Sequence, residues 1–182
     1  MKLVITSLVT ILSLATAGHA ETSAPDVHLD IEVDPTAYVL SGYSVHVGTG
    51  WKHVRLDLGV YAMDLPELLH GNPGWDASFD GAGAKLQWFP FASQRGGYVD
   101  ISAGVARQRV TLRETGASRR DTSFGAGIDF GYRFVLPYNF YVTPWAGLSY
   151  DFNAGDVMLD GHTYEKTKWI PFAAVHLGFR FR

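Results

Sequence analysis

The sequence predicts an all-β protein, a closed antiparallel eight-stranded transmembrane up-and-down β-barrel. Three observations predict it. Apolar residues recur at every second position in eight successive segments, the period of strands with one polar and one apolar side. The intervening positions carry charges of both signs interspersed with glycine, and aromatic residues collect at the segment ends. Phe134 to Tyr150 is uncharged but is broken by Pro137 and Pro144 around Tyr138-Asn139, so it reads as strand, turn, strand rather than as a spanning helix.

The chain opens with Lys2, an apolar run from Leu3 to Ala17 and the exit Gly18-His19-Ala20. A positive end, an apolar core of this length and a small-x-small exit describe a secretory signal over residues 1–20. The run is short for a bilayer span of about 20 residues, and polar Glu21-Thr22-Ser23 follows at once. The mature domain is then residues 21–182, large enough to fold without metal or disulfide staples.

The segments follow in order. Val27, Leu29, Ile31 and Val33 form the first apolar row; Val39, Tyr43, Val45 and Val47 follow Asp34-Pro35; Val54, Leu56, Leu58, Val60 and Ala62 follow Gly48-Thr49-Gly50. After a long connection from Asp64 to Asp76 come Ala82, Ala84, Leu86 and Trp88, then Val99, Ile101, Ala103 and Val105. Beyond a loop over Arg113 to Asp121 lie Phe124 to Phe134, then Phe140 to Phe152, and finally Trp169 to Phe181.

Alternation alone does not say which face looks outward. A soluble lipocalin-like carrier keeps the apolar face inside, whereas a membrane barrel turns it to lipid and encloses the polar one. The polar positions include Glu32, Arg55, Asp57, Lys85, Asp100, Asp129, Arg133, Asp151, His176 and Arg180. Both signs are present, as a closed, mutually paired interior requires, because unpaired charges there would cost several kcal/mol each. Trp88, Phe89, Phe91, Phe134, Phe140, Phe179 and Phe181 gather at one end, and Tyr61, Trp75, Phe124, Tyr150, Phe152 and Trp169 at the other. Two such girdles match the two interfaces of a bilayer. Short and long connections alternate, apart from a short one at Asp34-Pro35. The lipid-facing assignment is therefore the expected one.

At this level the chain resembles the small eight-stranded bacterial outer-membrane barrels of the OmpX, OmpW and OmpA type. The resemblance covers residues 21–182 through pattern, and its most specific part is the last strand, with Val175, Leu177, Phe179 and Phe181 in alternation. That row looks like the signal which the barrel-assembly machinery reads in the family, although here Arg182 follows the aromatic. The resemblance implies export through the periplasm, an outer-membrane location in a Gram-negative envelope, and termini on the periplasmic side.

Composition narrows the chemistry. With no cysteine, thiolate metal sites and a cysteine nucleophile are excluded. A net charge of −3 argues against nucleic acid as a partner. Ser44 and His46 lie two apart on one strand face, with Asp30 or Glu32 as carboxylates on the neighbouring strand. That set has the residue types of acyl transfer, but its order differs from the His-x-Ser of the lipid A deacylases. Such a lipid A-modifying enzyme stays the alternative, as does the soluble carrier. His70 with Glu67, and His162 with Glu165, read as loop pairs without a third metal ligand.

The sharper surface signal is basic: Arg107, Arg109, Arg113, Arg119 and Arg120 surround one loop. By phase, Arg107 and Arg109 continue the lipid-facing row, where lipopolysaccharide phosphates suit guanidinium hydrogen bonds; a solvated charged loop is the alternative. Leu65 to Gly71 has Pro near its start and Gly at its stop, predicting a short helix whose Leu65, Leu68 and Leu69 cover the barrel mouth or present an apolar contact to another surface protein. The expectation is a non-enzymatic, monomeric outer-membrane barrel with a side-chain-filled interior, lipid and lipopolysaccharide as partners, and no cofactor or metal.

Overall fold

A computed structural model describes residues 27–181. The export signal expected over residues 1–20 and Arg182 lie outside them. Strands β1 (His28–Val33), β2 (Tyr43–Trp51), β3 (Val54–Leu65), β4 (Trp75–Trp88), β5 (Gly96–Leu112), β6 (Ser118–Val135), β7 (Phe140–Asp151) and β10 (Trp169–Phe181) close into one barrel. Strands β8 (Val157–Leu159) and β9 (His162–Tyr164) form a separate hairpin within the last long loop. Every barrel strand pairs antiparallel with its neighbours, and β1 meets β10 from Leu29↔Phe181 to Val33↔Leu177 to seal the seam.

The near end, where the described chain begins and ends, carries turns whose chemistry the sequence specifies. Lys52 (φ 49°) turns β2 into β3, and Tyr138 and Asn139 (φ 61° and 67°) turn β6 into β7 after Pro137, the left-handed pair that hairpin twist favours. The far end carries α1 (Pro35–Val39) and α2 (Glu67–His70). Asp34 caps α1 by accepting from the Thr36 amide at 2.9 Å.

The faces divide as expected. Leu29, Ile31, Val47, Leu58, Ile101, Ile128, Val175, Leu177 and Phe181 are exposed on the outer wall, while Asp30, Glu32, Arg55, Asp57, Asp100, Asp129, Arg133 and His176 are buried in the lumen. At the far end β4, β5 and β6 run well past the other strands. There the polarity of their alternation inverts: Trp75, Ala77, Val110 and Leu112 turn inward into a second small core with Val157 and Tyr164 of the hairpin.

This inversion corrects two expectations. The long connection after Asp64 ends at Trp75, where β4 already begins, and the loop over Arg113 to Asp121 shrinks to a turn at residues 113–117. Three girdle assignments also change. Trp75 and Phe89 are buried, and Tyr61 lines the lumen. Phe89 follows outward Trp88 and so faces in, stacking on Tyr98 at 5.0 Å. Alternation overrides residue type at each of these positions. The predicted mouth-covering helix is only a four-residue turn, stopped by Gly71 (φ 69°). Leu65 packs on the far-end core, but Leu68 and Leu69 point to solvent, because so short a turn has one face to bury.

Candidate functional site

The lumen is where the strands bring chemistry together. Arg55 of β3 donates to Asp30 of β1, from Nε at 3.0 Å and from Nη2 at 2.5 Å, and from Nη1 to Gln87 Oε1 of β4 at 2.8 Å. Its Nη2 also lies 3.1 Å from Glu32 and 3.0 Å from Asp57. Glu32 accepts from Arg133 Nη2 at 2.9 Å and from the Tyr141 hydroxyl at 2.8 Å, and pairs with His176 Nδ1 at 2.8 Å. Arg133 lies over the Tyr141 and Phe89 rings, 4.3 and 4.9 Å from their centroids.

Gly48 makes this packing possible, since a Cβ there would fall on the Arg55 guanidinium and Asp30. A paired and hydrogen-bonded arrangement of this kind is what a charge needs to be tolerated away from water. Toward the middle, Lys85 donates to Asp129 at 2.9 Å and covers the Trp145 ring at 3.3 Å from its centroid, while Gln87 donates to Asp100 at 3.2 Å.

All ten polar residues predicted for the interior face inward. Arg180 donates to the Ser93 carbonyl at 3.2 Å near one end, and Asp151 lines the cavity at the other. The sequence reading omitted Gln87, Tyr98, Tyr141 and Gln94. Gln87 and Tyr98 fall on the polar phase opposite their apolar rows, and Tyr141 shares the inward phase of its strand. Gln94 sits in an aperiodic turn, yet its amide donates to the Lys52 and Val54 carbonyls at 3.0 and 2.9 Å. No periodicity announces such a residue.

Above this network the lumen holds a cavity of about 330 Å³ on the far-end side, between Ser44, His46, Asp57 and Lys85 below and Leu65, Gln108 and Asp151 above. In its wall His46 Nε2 lies 3.1 Å from Ser44 Oγ and His46 Nδ1 lies 2.8 Å from Asp57 Oδ1. The carboxylate is thus Asp57, rather than the Asp30 or Glu32 that the sequence suggested. Asp30 and Glu32 are engaged by Arg55, Arg133 and His176; Asp57, which Arg55 also reaches at 3.0 Å, stands one diagonal step from His46 on the adjacent strand, beside the direct pair His46↔Gly59. A Cβ at Gly59 would meet the His46 ring, so glycine leaves the imidazole its place.

On the outer wall the basic cluster divides. Arg107 pairs with Asp80, its Nε donating at 2.8 Å. Arg113 is tied to Asp76 at 2.7 Å and Glu67 at 2.9 Å. Arg119 points to the opposite face, donating to Asp121 at 2.9 Å. Arg109 and Arg120 stand directly across from each other on β5 and β6, both exposed, with no side-chain partner among the described residues. Like charges in that register repel.

The two loop pairs weighed as metal sites are engaged elsewhere. Glu67 accepts from Arg113. His70 accepts from the Asn72 amide at 3.2 Å and packs on Tyr164, and burial lowers its pKa. His162 lies 3.6 Å from Glu114, not beside Glu165.

No family model matches the chain, and no curated protein does. Among solved structures, a major outer membrane protein from Thermus thermophilus is similar over 85% of this chain and 99% of its own, with 13% identity and a TM-score of 0.51. The N-terminal β-barrel domain of Pseudomonas aeruginosa OprF matches over 87% of this chain and 100% of its own, at 17% identity and a TM-score of 0.48. Neisserial surface protein A matches over 87% and 98%, at 14% identity and 0.47. Strand number, closure and the first of these likenesses agree, and in fold the chain is a small eight-stranded β-barrel of the bacterial outer-membrane type.

Proposed function

We propose that the protein is an integral outer-membrane barrel with an envelope-structural or surface role, held at the outer leaflet by lipopolysaccharide. One observation carries the membrane reading, the level at which alternation inverts. Asp80, Arg107 and Thr122 are aligned across β4, β5 and β6 and all face outward. On the near-end side of that row the outer wall is Ala82, Ala84, Val105, Ala103, Phe124 and Ala126; on the far-end side it is Ser78, Asp76, Arg109, Thr111 and Arg120. A wall in contact with lipid below and water above changes character at one height in this way. A soluble barrel has no reason to. Outward Val175, Leu177, Phe179 and Phe181 on β10 fit the role of the row that assembly machinery reads.

Washed outer membranes, run on gels without and with boiling, test this. The protein is expected to stay with the membrane and to change mobility only after boiling. Recovery in the soluble periplasm without a shift would instead favour a carrier.

Arg109 and Arg120 carry the lipopolysaccharide part of the reading. They stand one outward position, about 7 Å, above the row where the wall changes. There a phosphate between them relieves their repulsion through charge-assisted hydrogen bonds. Reversing both, R109E with R120E, is expected to weaken lipopolysaccharide binding about tenfold or more, taking about 1.5–3 kcal/mol for each hydrogen bond to a charged group. Titration of the refolded barrel with lipopolysaccharide measures it, and unchanged affinity removes these residues from the contact.

A further inference from the structure

We propose that Ser44 is an activated nucleophile, with His46 as its base and Asp57 as the residue that positions the base, and that this set hydrolyses small apolar esters entering the lumen from the far end. Nothing in the envelope role calls for it. The geometry is that of acyl transfer: nucleophile to base 3.1 Å, base to orienting carboxylate 2.8 Å through the other ring nitrogen. All three side chains line the same cavity. Two free donors share that lining. The Tyr61 hydroxyl, on the residue directly opposite Ser44, has no hydrogen-bond partner among the described residues, and Trp145 Nε1 is buried without one. Either supplies what a developing oxyanion requires.

The reaction balances without a co-reactant other than water. Ser44 Oγ bonds to the ester carbonyl carbon as its proton passes to His46 Nε2, and Asp57 accepts the Nδ1–H bond of the resulting imidazolium. Collapse breaks the bond to the alkoxy oxygen, which takes the proton from Nε2 and leaves as the alcohol. Water then attacks the acyl-serine, giving its proton to Nε2. That proton returns to Ser44 Oγ as the carboxylic acid departs.

Cavity and orientation set the substrate class. Ser44 faces the lumen and not the bilayer, so acyl chains of membrane lipids lie on the wrong side of the wall. The volume of about 330 Å³ suits a short-chain ester, and Met63, Phe79 and Phe172 in the lining favour an apolar one.

The test uses the refolded full-length protein and diisopropyl fluorophosphate, a phosphorylating probe small enough for the cavity, with adducts mapped by peptide mass. Hydrolysis of p-nitrophenyl acetate is followed in parallel. Ser44 is expected to carry the adduct, and S44A is expected to lose both the adduct and the hydrolysis. D57N is expected to lower the maximal rate of inactivation by about 10³–10⁴-fold while leaving the half-saturating probe concentration and the heat-dependent gel shift unchanged, a split that a merely structural role does not produce. A wild-type barrel that shifts on heating yet remains unlabelled at Ser44 overturns the proposal, and that outcome needs no variant to fold. Labelling at the same rate in D57N and H46Q overturns it equally, because Ser44 would then be only accessible.

Discussion

Replacing Arg55 with Met is expected to destabilise the barrel by about 3–5 kcal/mol, the range for breaking a buried ion pair from one side. The change removes the cation facing Asp30, Glu32 and Asp57 while keeping the volume of the side chain roughly constant. Glu32 retains Arg133, Tyr141 and His176, and Asp57 retains His46. Among the described residues Asp30 is left with His28, 3.7 Å away, and the more distant charge of Arg180, so it carries most of the cost. The second change that relieves it follows directly. Adding Asp30→Leu to Arg55→Met is expected to restore most of the lost stability, since removing both partners of a buried pair is close to neutral. Urea unfolding in lipid vesicles, followed by tryptophan fluorescence, gives the double-mutant cycle. A single-mutant loss below about 1 kcal/mol would contradict the view that the lumen network holds the wall together.

The second large effect lies on the opposite face and depends on depth. Leu58 is 55% exposed, and in a water-soluble protein an exposed Leu→Arg change away from special features stays within about 0.5 kcal/mol. In lipid the same change at mid-height is expected to cost about 2–4 kcal/mol, because the guanidinium must be dragged from water into hydrocarbon. Val54, beside the near-end turn, is also on the outer wall. Arginine there is expected to cost only about 0–1 kcal/mol, as it can reach the interface. The gradient between the two positions is the informative quantity, measured by the same unfolding in vesicles. Equal, negligible costs at both would mean that this wall meets water.

Much of this architecture was legible because a strand in a barrel obeys one rule, strict alternation, and each of the ten interior polar residues falls on the phase opposite its apolar row. Where alternation kept its phase but exchanged its meaning, reading failed. Trp75 and Asp76 looked like the end of a loop because the sequence pattern there is apolar-in and polar-out, the reverse of the pattern ten residues later. The chain gives no sign of which environment each height of the wall will meet. Partners within the lumen were also hidden. The period places Asp30, Glu32 and Asp57 on one face, but which carboxylate reaches His46 depends on the register between β2 and β3. Arg109 and Arg120 could be placed near one loop from sequence, yet their direct opposition is a property of the β5–β6 register alone.

The distribution of acceptors along β1 has a kinetic consequence. This six-residue strand is one side of the seam, and its Asp30 and Glu32 answer Arg55 of β3, Arg133 of β6, Tyr141 of β7 and His176 of β10. Until β1 and β10 meet, the partners on β6, β7 and β10 have no common anchor on β1. An unzipped sheet therefore gains little from forming most of its hairpins, and the reward is concentrated in the last event. Barrel closure becomes the committed step of folding, and its reversal the bottleneck of unfolding, so that half-closed species should be short-lived in either direction.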